Sequence, residues 1–157
     1  MTTTAPTVPT AVPPAWANAL VGGLLRTPGL ELLVGRGLAL VTVTGRRTGT
    51  RYTTPVAYHR DGDTVTILTK SSRTWWRNLE ARPEVELRLA GRRYRGLARA
   101  TVDDPSTLFT VLEHLTRSPR SARRFYGVTI TDDADDNARQ ARAILPYLAV
   151  VRVTLQR

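Results

Sequence analysis

From residue 38 to residue 102 the chain repeats one pattern: a short β-prone run, a turn signal, then another run. Leu38–Thr44 is apolar on both faces, which predicts a strand covered on both sides. Gly45-Arg46-Arg47-Thr48-Gly49-Thr50 forms a glycine-bounded turn, and Tyr52–His59 predicts the next strand. Asp61-Gly62 is a hairpin signal, after which Asp63–Thr69 sets Val65 and Ile67 on one face. In Glu84–Leu89, Val85, Leu87 and Leu89 alternate with Glu84, Glu86 and Arg88, the pattern of a half-buried strand. Ala90-Gly91 turns into Arg92–Val102, where Tyr94, Gly96, Ala98 and Ala100 oppose Arg93, Arg95 and Arg99. Leu148–Leu155 predicts a last strand, with Ala149, Val151, Val153 and Leu155 together.

Many short strands joined as hairpins leave exposed edges unless the sheet closes. The expected class is therefore mainly β (α+β): a closed or split β-barrel of about six antiparallel strands with short flanking helices. Helical patterns fall at Trp16–Leu25, Leu30–Val34 and Trp75–Ala81. Two more are expected, at Leu108–Leu115 behind the capping residues Asp103–Ser106, and at Asn137–Leu145, stopped by Pro146. The length of 157 residues fits one domain. Residues 1–14, with Pro6, Pro9, Pro13 and Pro14, predict a disordered tail. Residues 15–157 are expected to form the single domain, opening on an N-terminal helix.

Composition excludes several classes. With no cysteine there is no disulfide framework, thiolate metal site or thiol nucleophile, which fits a reducing, cytoplasmic setting. The tail has no basic leader or continuous apolar core, so no secretory signal is expected. Arg26, Glu31 and Arg36 interrupt the apolar stretch Trp16–Val43. Charges at a bilayer centre cost several kcal/mol each, which leaves at most a peripheral membrane contact. The net charge of +10 favours an anionic partner, but arginine supplies nearly all of the basic residues and Lys70 is the sole lysine. Such a bias reflects genomic base composition as readily as function.

No self-contained catalytic machinery is visible. His59 and His114 lack further ligands at metal spacing, so no metal site is expected. No carboxylate pair, nucleophile elbow, P-loop or dinucleotide fingerprint occurs. An enzyme of this kind borrows its chemistry from a cofactor. The turn Gly45–Gly49 offers a backbone for close approach, arginines for phosphate oxygens and a threonine hydroxyl. An Arg-rich turn facing solvent would read the same way. Thr69-Lys70-Ser71-Ser72-Arg73 repeats that chemistry after another strand, followed by Trp75, Trp76 and Asn78. Basic charge beside Trp75-Trp76 also suits a nucleic-acid binder, provided the arginines form one stripe and the tryptophan faces are exposed.

The ordered set GRRTG, TTP, DGD and WWRNL ahead of RPEVEL resembles the deazaflavin-dependent nitroreductase family, within the flavin/deazaflavin oxidoreductase split-barrel group. The segment ARRFYGVTI and the closing LAVVRVTL resemble one branch of it, and coverage runs from Arg26 to Leu155. The resemblance implies a split β-barrel that binds coenzyme F-420, an 8-hydroxy-5-deazaflavin. Hydride would pass to a small organic acceptor: a quinone, an enone or a natural-product intermediate. FMN or haem is the alternative ligand, a non-catalytic binder the alternative role, and monomer or homodimer the expected state.

On that likeness Arg46, Arg47, Thr48, Gly49 and Arg51 hold the cofactor's phosphate and acidic tail, and Thr53, Thr54 and Pro55 lie beside its rings. Thr69, Lys70 and Ser71 form the second loop, with Trp75, Trp76 and Asn78 beneath it. Two departures stand out. Many members place arginine directly before the TTP triplet, where this chain has Tyr52, with Arg51 one place earlier. Faces alternate along a strand, so that shift reverses the side chain's direction. The substrate-side tyrosines lack a clear counterpart, leaving Tyr126 and Tyr147 as candidates.

Overall fold

The computed structural model describes residues 38–156, so the expected tail and the two helical segments before Leu38 lie outside the described residues. Six antiparallel strands form the barrel: β1 (Leu38–Thr44), β2 (Arg51–Asp61), β3 (Thr64–Lys70), β4 (Glu84–Leu89), β5 (Arg92–Val102) and β6 (Leu148–Gln156). Their order around it is β1-β2-β3-β6-β5-β4, closed by pairing of β4 with β1. The mainly β barrel expected from the alternation is the observed fold.

Inward side chains from all six strands fill the interior, among them Val41, Val56, Ile67, Leu87, Ala98 and Val151. A 3-10 turn, Trp75–Glu80, plugs one end through Trp75 and Leu79. It falls where a short helix was expected.

A second core lies outside the wall. Helix α1 (Leu108–Arg117) and helix α2 (Ala134–Ile144) cover the outer side of β3 and β6, burying Leu68, Leu148 and Val150 against Val111, Leu115 and Ile144. A helical turn, Pro119–Ser121, runs into a π-type turn, Ala122–Tyr126, that ends on Gly127 in the left-handed region. The first half of β6 is thus apolar on both faces: Ala149, Val151 and Val153 point inward while Leu148 and Val150 meet the helices, and only farther on do the outward Arg152 and Thr154 face solvent.

Helix α2 begins three residues before the expected Asn137. The Asp133 carboxylate accepts from the N–H groups of Asp135 at 2.9 Å and Asp136 at 3.1 Å, making it the N-cap. The acidic run is therefore the helix's first turn, where carboxylates complement the helix dipole.

Two expected outcomes follow from this packing. A Cβ at Gly96 would lie 2.6 Å from the Thr154 carbonyl oxygen and 2.7 Å from Val153 Cγ1. Gly96→Ala should therefore cost about 1–3 kcal/mol, seen as a lower denaturation midpoint. The second concerns His114 on α1, whose pKa is lowered by burial, then by the nearby charges of His59 and Arg117. Glu113 is the acid beside them and pairs with Arg117 at 2.6 Å. The unfolded chain takes up a proton near pH 6.5 that the folded His114 resists, so stability falls as pH drops below that value. Thermal midpoints at pH 7.5 and 5.5 should differ less in His114→Gln than in the parent.

Candidate cofactor site

The barrel is open at one place. Pairing between β2 and β3 runs only from Asp61↔Thr64 to Tyr58↔Ile67. Beyond it, Ala57 and Leu68 no longer pair, although β2 continues to Arg51 and β3 to Lys70. Proline explains part of this. Gly45 N–H donates to the Thr50 carbonyl at 2.7 Å, which marks a hydrogen-bonded position of the β1–β2 ladder. Alternating from there, Leu40↔Pro55 is a non-bonded pair, so the proline nitrogen faces β3 and has no hydrogen to donate. The same alternation turns the Leu68 carbonyl toward β2, since Leu155 N–H bonds Asp63 O on the β3–β6 side. In place of a β2 donor, Leu68 O receives the Tyr126 hydroxyl at 3.0 Å.

The turn, the second loop and the Trp-Asn segment gather at this split end. Arg46 N–H donates to Asn78 Oδ1 at 3.1 Å, and Asn78 Nδ2 donates to the Trp75 carbonyl at 3.0 Å. Gly49 holds φ +72°, a left-handed value that favours glycine, and its N–H closes onto Gly45 O at 2.9 Å. Thr50 N–H uses Thr48 Oγ1. The N–H groups of Arg47 and Thr48 make no hydrogen bond among the described residues, so two amides remain of the nest that the sequence suggests. Lys70 ends β3, and Ser71 N–H donates to the Tyr147 carbonyl at 2.9 Å, fixing the loop to the start of β6. Partial burial, reinforced by the Arg73 charge, holds the Lys70 ammonium below the usual lysine pKa.

Not every expected residue faces the same space. By register Thr53 and Pro55 share the outer face with Leu40 and Thr42, whereas Thr54 opposes Val41 on the inner face and is set apart from them. Thr69 is buried. Trp75 belongs to the barrel core and Trp76 packs half-buried against it. Both indole N–H groups lack a partner among the described residues. Tyr147 is exposed, but Tyr126 is buried in the helical core, where desolvation pushes its pKa up to about 12. Tyr126 therefore braces β3 and does not reach solvent to meet a substrate. The arginine shift has a visible result: Arg51 lies on the outer face and pairs with Glu86 at 3.0 Å, while Tyr52 packs beside Gly45.

A feature missed from the sequence is a groove of about 530 Å³ on the outer wall. Leu40 and Thr42 form its floor, Arg51 and Thr53 one side, and Glu86, Arg88 and Arg93 the other. The alternation marks each as outward, but only the β1–β4 closure brings them together. Among the described residues no three His, Cys, Asp or Glu side chains are placed to hold a metal ion. No helix among them is long and apolar enough to cross a membrane.

A barrel that opens beside a basic turn is the split-barrel arrangement. The chain belongs to the F420H(2)-dependent quinone reductase family, which it matches over residues 26–125. It is accordingly a deazaflavin-dependent oxidoreductase, and its cofactor is coenzyme F-420. Among curated proteins none matches the chain. Solved structures share the fold at low identity. A Clostridium acetobutylicum protein related to general stress protein 26 is 14% identical, with 80% of this chain and 79% of that one covered and a TM-score of 0.54. General Stress Protein 26 of Bacillus anthracis str. Sterne is 12% identical, with 80% and 84% covered and a TM-score of 0.50. A chain solved as a domain-swapped dimer is 14% identical, with 88% and 96% covered and a TM-score of 0.53.

The donor set at the split end fits the coenzyme. Open amides at Arg47 and Thr48, several cations and a buried indole N–H suit an anionic tail joined to a polar ring. Tyr126→Phe should cost about 1–2 kcal/mol by orphaning the Leu68 carbonyl. Amide exchange at Lys70 and Ser71 should speed up in that variant more than exchange in β1.

Proposed function

We propose that the protein binds reduced coenzyme F-420 at the split end of its barrel and passes hydride to a quinone. The observation that carries this reading is the open β2–β3 ladder at the same end as the basic turn and the Lys70 loop. Arg46, Arg47, Thr48 and Gly49 would hold the phosphate, with Lys70 and Ser71 across the opening and Asn78 fixing the turn. The backbone of Thr53, on the unpaired edge of β2, would meet the polar rim of the ring system. When bound, the coenzyme supplies a two-electron hydride donor, so the protein needs to align the partners and exclude water rather than move protons. That division of labour agrees with the scarcity of paired acids and bases here. Lys70, with its lowered pKa, is the cation suited to steady negative charge in the site.

Nucleic-acid binding is disfavoured because Trp75 is 8% exposed and Trp76 is half-buried, so neither presents a full stacking face. Fluorescence titration tests the cofactor reading directly. Wild-type protein should quench free deazaflavin. Arg47→Ala should weaken binding by roughly 1.5–3 kcal/mol with little change in melting temperature. Lys70→Met should bind more weakly and with a smaller salt dependence. Loss of deazaflavin absorbance with naphthoquinone should outpace that with cyclohexenone. Tight binding without oxidation by any acceptor would instead support a carrier.

A further inference from the structure

Quinones are electrophiles that add to thiols and amines, so a protein that handles them is exposed to arylation. This chain offers them little to attack. It has no cysteine, and Lys70 is the sole lysine among 23 basic residues. Guanidinium groups stay protonated at any physiological pH and so present no lone pair for addition. Of the two histidines, His114 lies on α1 and His59 in the paired stretch of β2, opposite Thr66. Among the described residues the one side-chain amine belongs to Lys70, and it stands at the opening.

The backbone fixes where that amine projects. Lys70 ends β3 beyond the last β2–β3 pair, Tyr58↔Ile67. By alternation it shares the outer face with Leu68 and, across the opening, with Thr53 and Pro55. Its carbonyl accepts Arg73 N–H at 3.1 Å, while Ser71 N–H donates to Tyr147 O at 2.9 Å and Ser71 Oγ to Pro146 O at 3.4 Å. The side chain thus leaves a pinned lip. Partial burial and the Arg73 charge enlarge the neutral share of the amine, the form that carries the nucleophilic lone pair.

We propose that Lys70 is a modification site for the quinone acceptor itself, open when the coenzyme is absent and shielded when it is bound. This rests on the quinone reading above. The Nζ lone pair forms a C–N bond to an unsubstituted ring carbon of the quinone. The two ring oxygens take up one proton from the nitrogen and one from that carbon, leaving an aminohydroquinone. A second quinone removes two electrons and two protons from it, becoming hydroquinone and leaving an aminoquinone on Lys70. The modified residue has lost its charge and carries a ring at the opening, so the site no longer receives the coenzyme.

Peptide mapping by mass spectrometry, after the full chain meets naphthoquinone with a free ring position, reads this directly. The adduct should fall in Asp61–Arg73, the segment between two arginine cleavage sites. A free lysine derivative in the same tube supplies the reference rate. Without coenzyme Lys70 should react roughly tenfold faster than the reference, and saturating oxidised coenzyme should abolish that advantage. Adducted protein should lose coenzyme binding in equilibrium dialysis, in step with the modified fraction. Lys70→Arg keeps the charge, offers no amine and should form no adduct there. Naphthoquinone methylated at both alkene carbons cannot be added to yet still accepts hydride, so it reports turnover alone. The inference is overturned if the enzyme turns over with that blocked quinone while Lys70 reacts no faster than the reference or gains no protection from coenzyme. Failure to oxidise the reduced coenzyme with either quinone overturns the quinone reading itself, and this inference with it.

Discussion

Strand β6 lets one sheet serve two cores. Its inward residues Ala149, Val151 and Val153 complete the barrel, and its outward Leu148 and Val150 receive α1 and α2. Burying a branched aliphatic side chain is worth about 1.5–3 kcal/mol, so the doubly covered stretch Leu148–Val151 gains roughly twice per residue what a half-buried strand does. The other strands depend on this. β3 and β5 each take β6 as a neighbour, and the helical layer packs on the outer side of β3 and β6. The half of the molecule packed into both cores is therefore β3, β6 and their helices.

Against that half, β2 is free to part from β3. A broken ladder ordinarily leaves backbone groups without partners, which costs free energy wherever water is excluded. Here three of the freed positions have a local answer. Pro55 has no N–H to lose, Leu68 O takes the Tyr126 hydroxyl, and Lys70 O takes Arg73 N–H at 3.1 Å. Tyr126 belongs to the helical core, so the packing that anchors β6 also holds one lip of the opening.

The sequence makes the strands legible because alternation and turn residues are local signals. Leu38–Thr44 and Glu84–Leu89 match their observed bounds, and β2 extends the expected Tyr52–His59 by one residue before and two after. The basic turn and the Lys70 loop are likewise readable from residue type alone. Long-range closure is not. Nothing in Glu86 or Arg88 says that β1 will lie beside them, so the groove they share with Thr42 stays hidden until the register is known. The role of Tyr126 is hidden for the same reason: an exposed or buried hydroxyl reads identically in a string. The start of α2 was legible in principle, since aspartate is a favoured N-cap, but four nearby acids draw attention to charge instead of to capping.

The opening in the barrel has one more consequence. An unpaired strand edge with open donors and acceptors is a template on which any extended chain, including another copy of this one, can add itself. Along β2 that template is incomplete, because Pro55 withholds the hydrogen such an intruder would need and fixes the local backbone angle. A flat ring with its own carbonyl and N–H groups needs only a short stretch of that edge; an added strand needs every second residue. The proline thus discriminates by length, making this edge a poor partner for an added strand while leaving shorter polar groups room to bond.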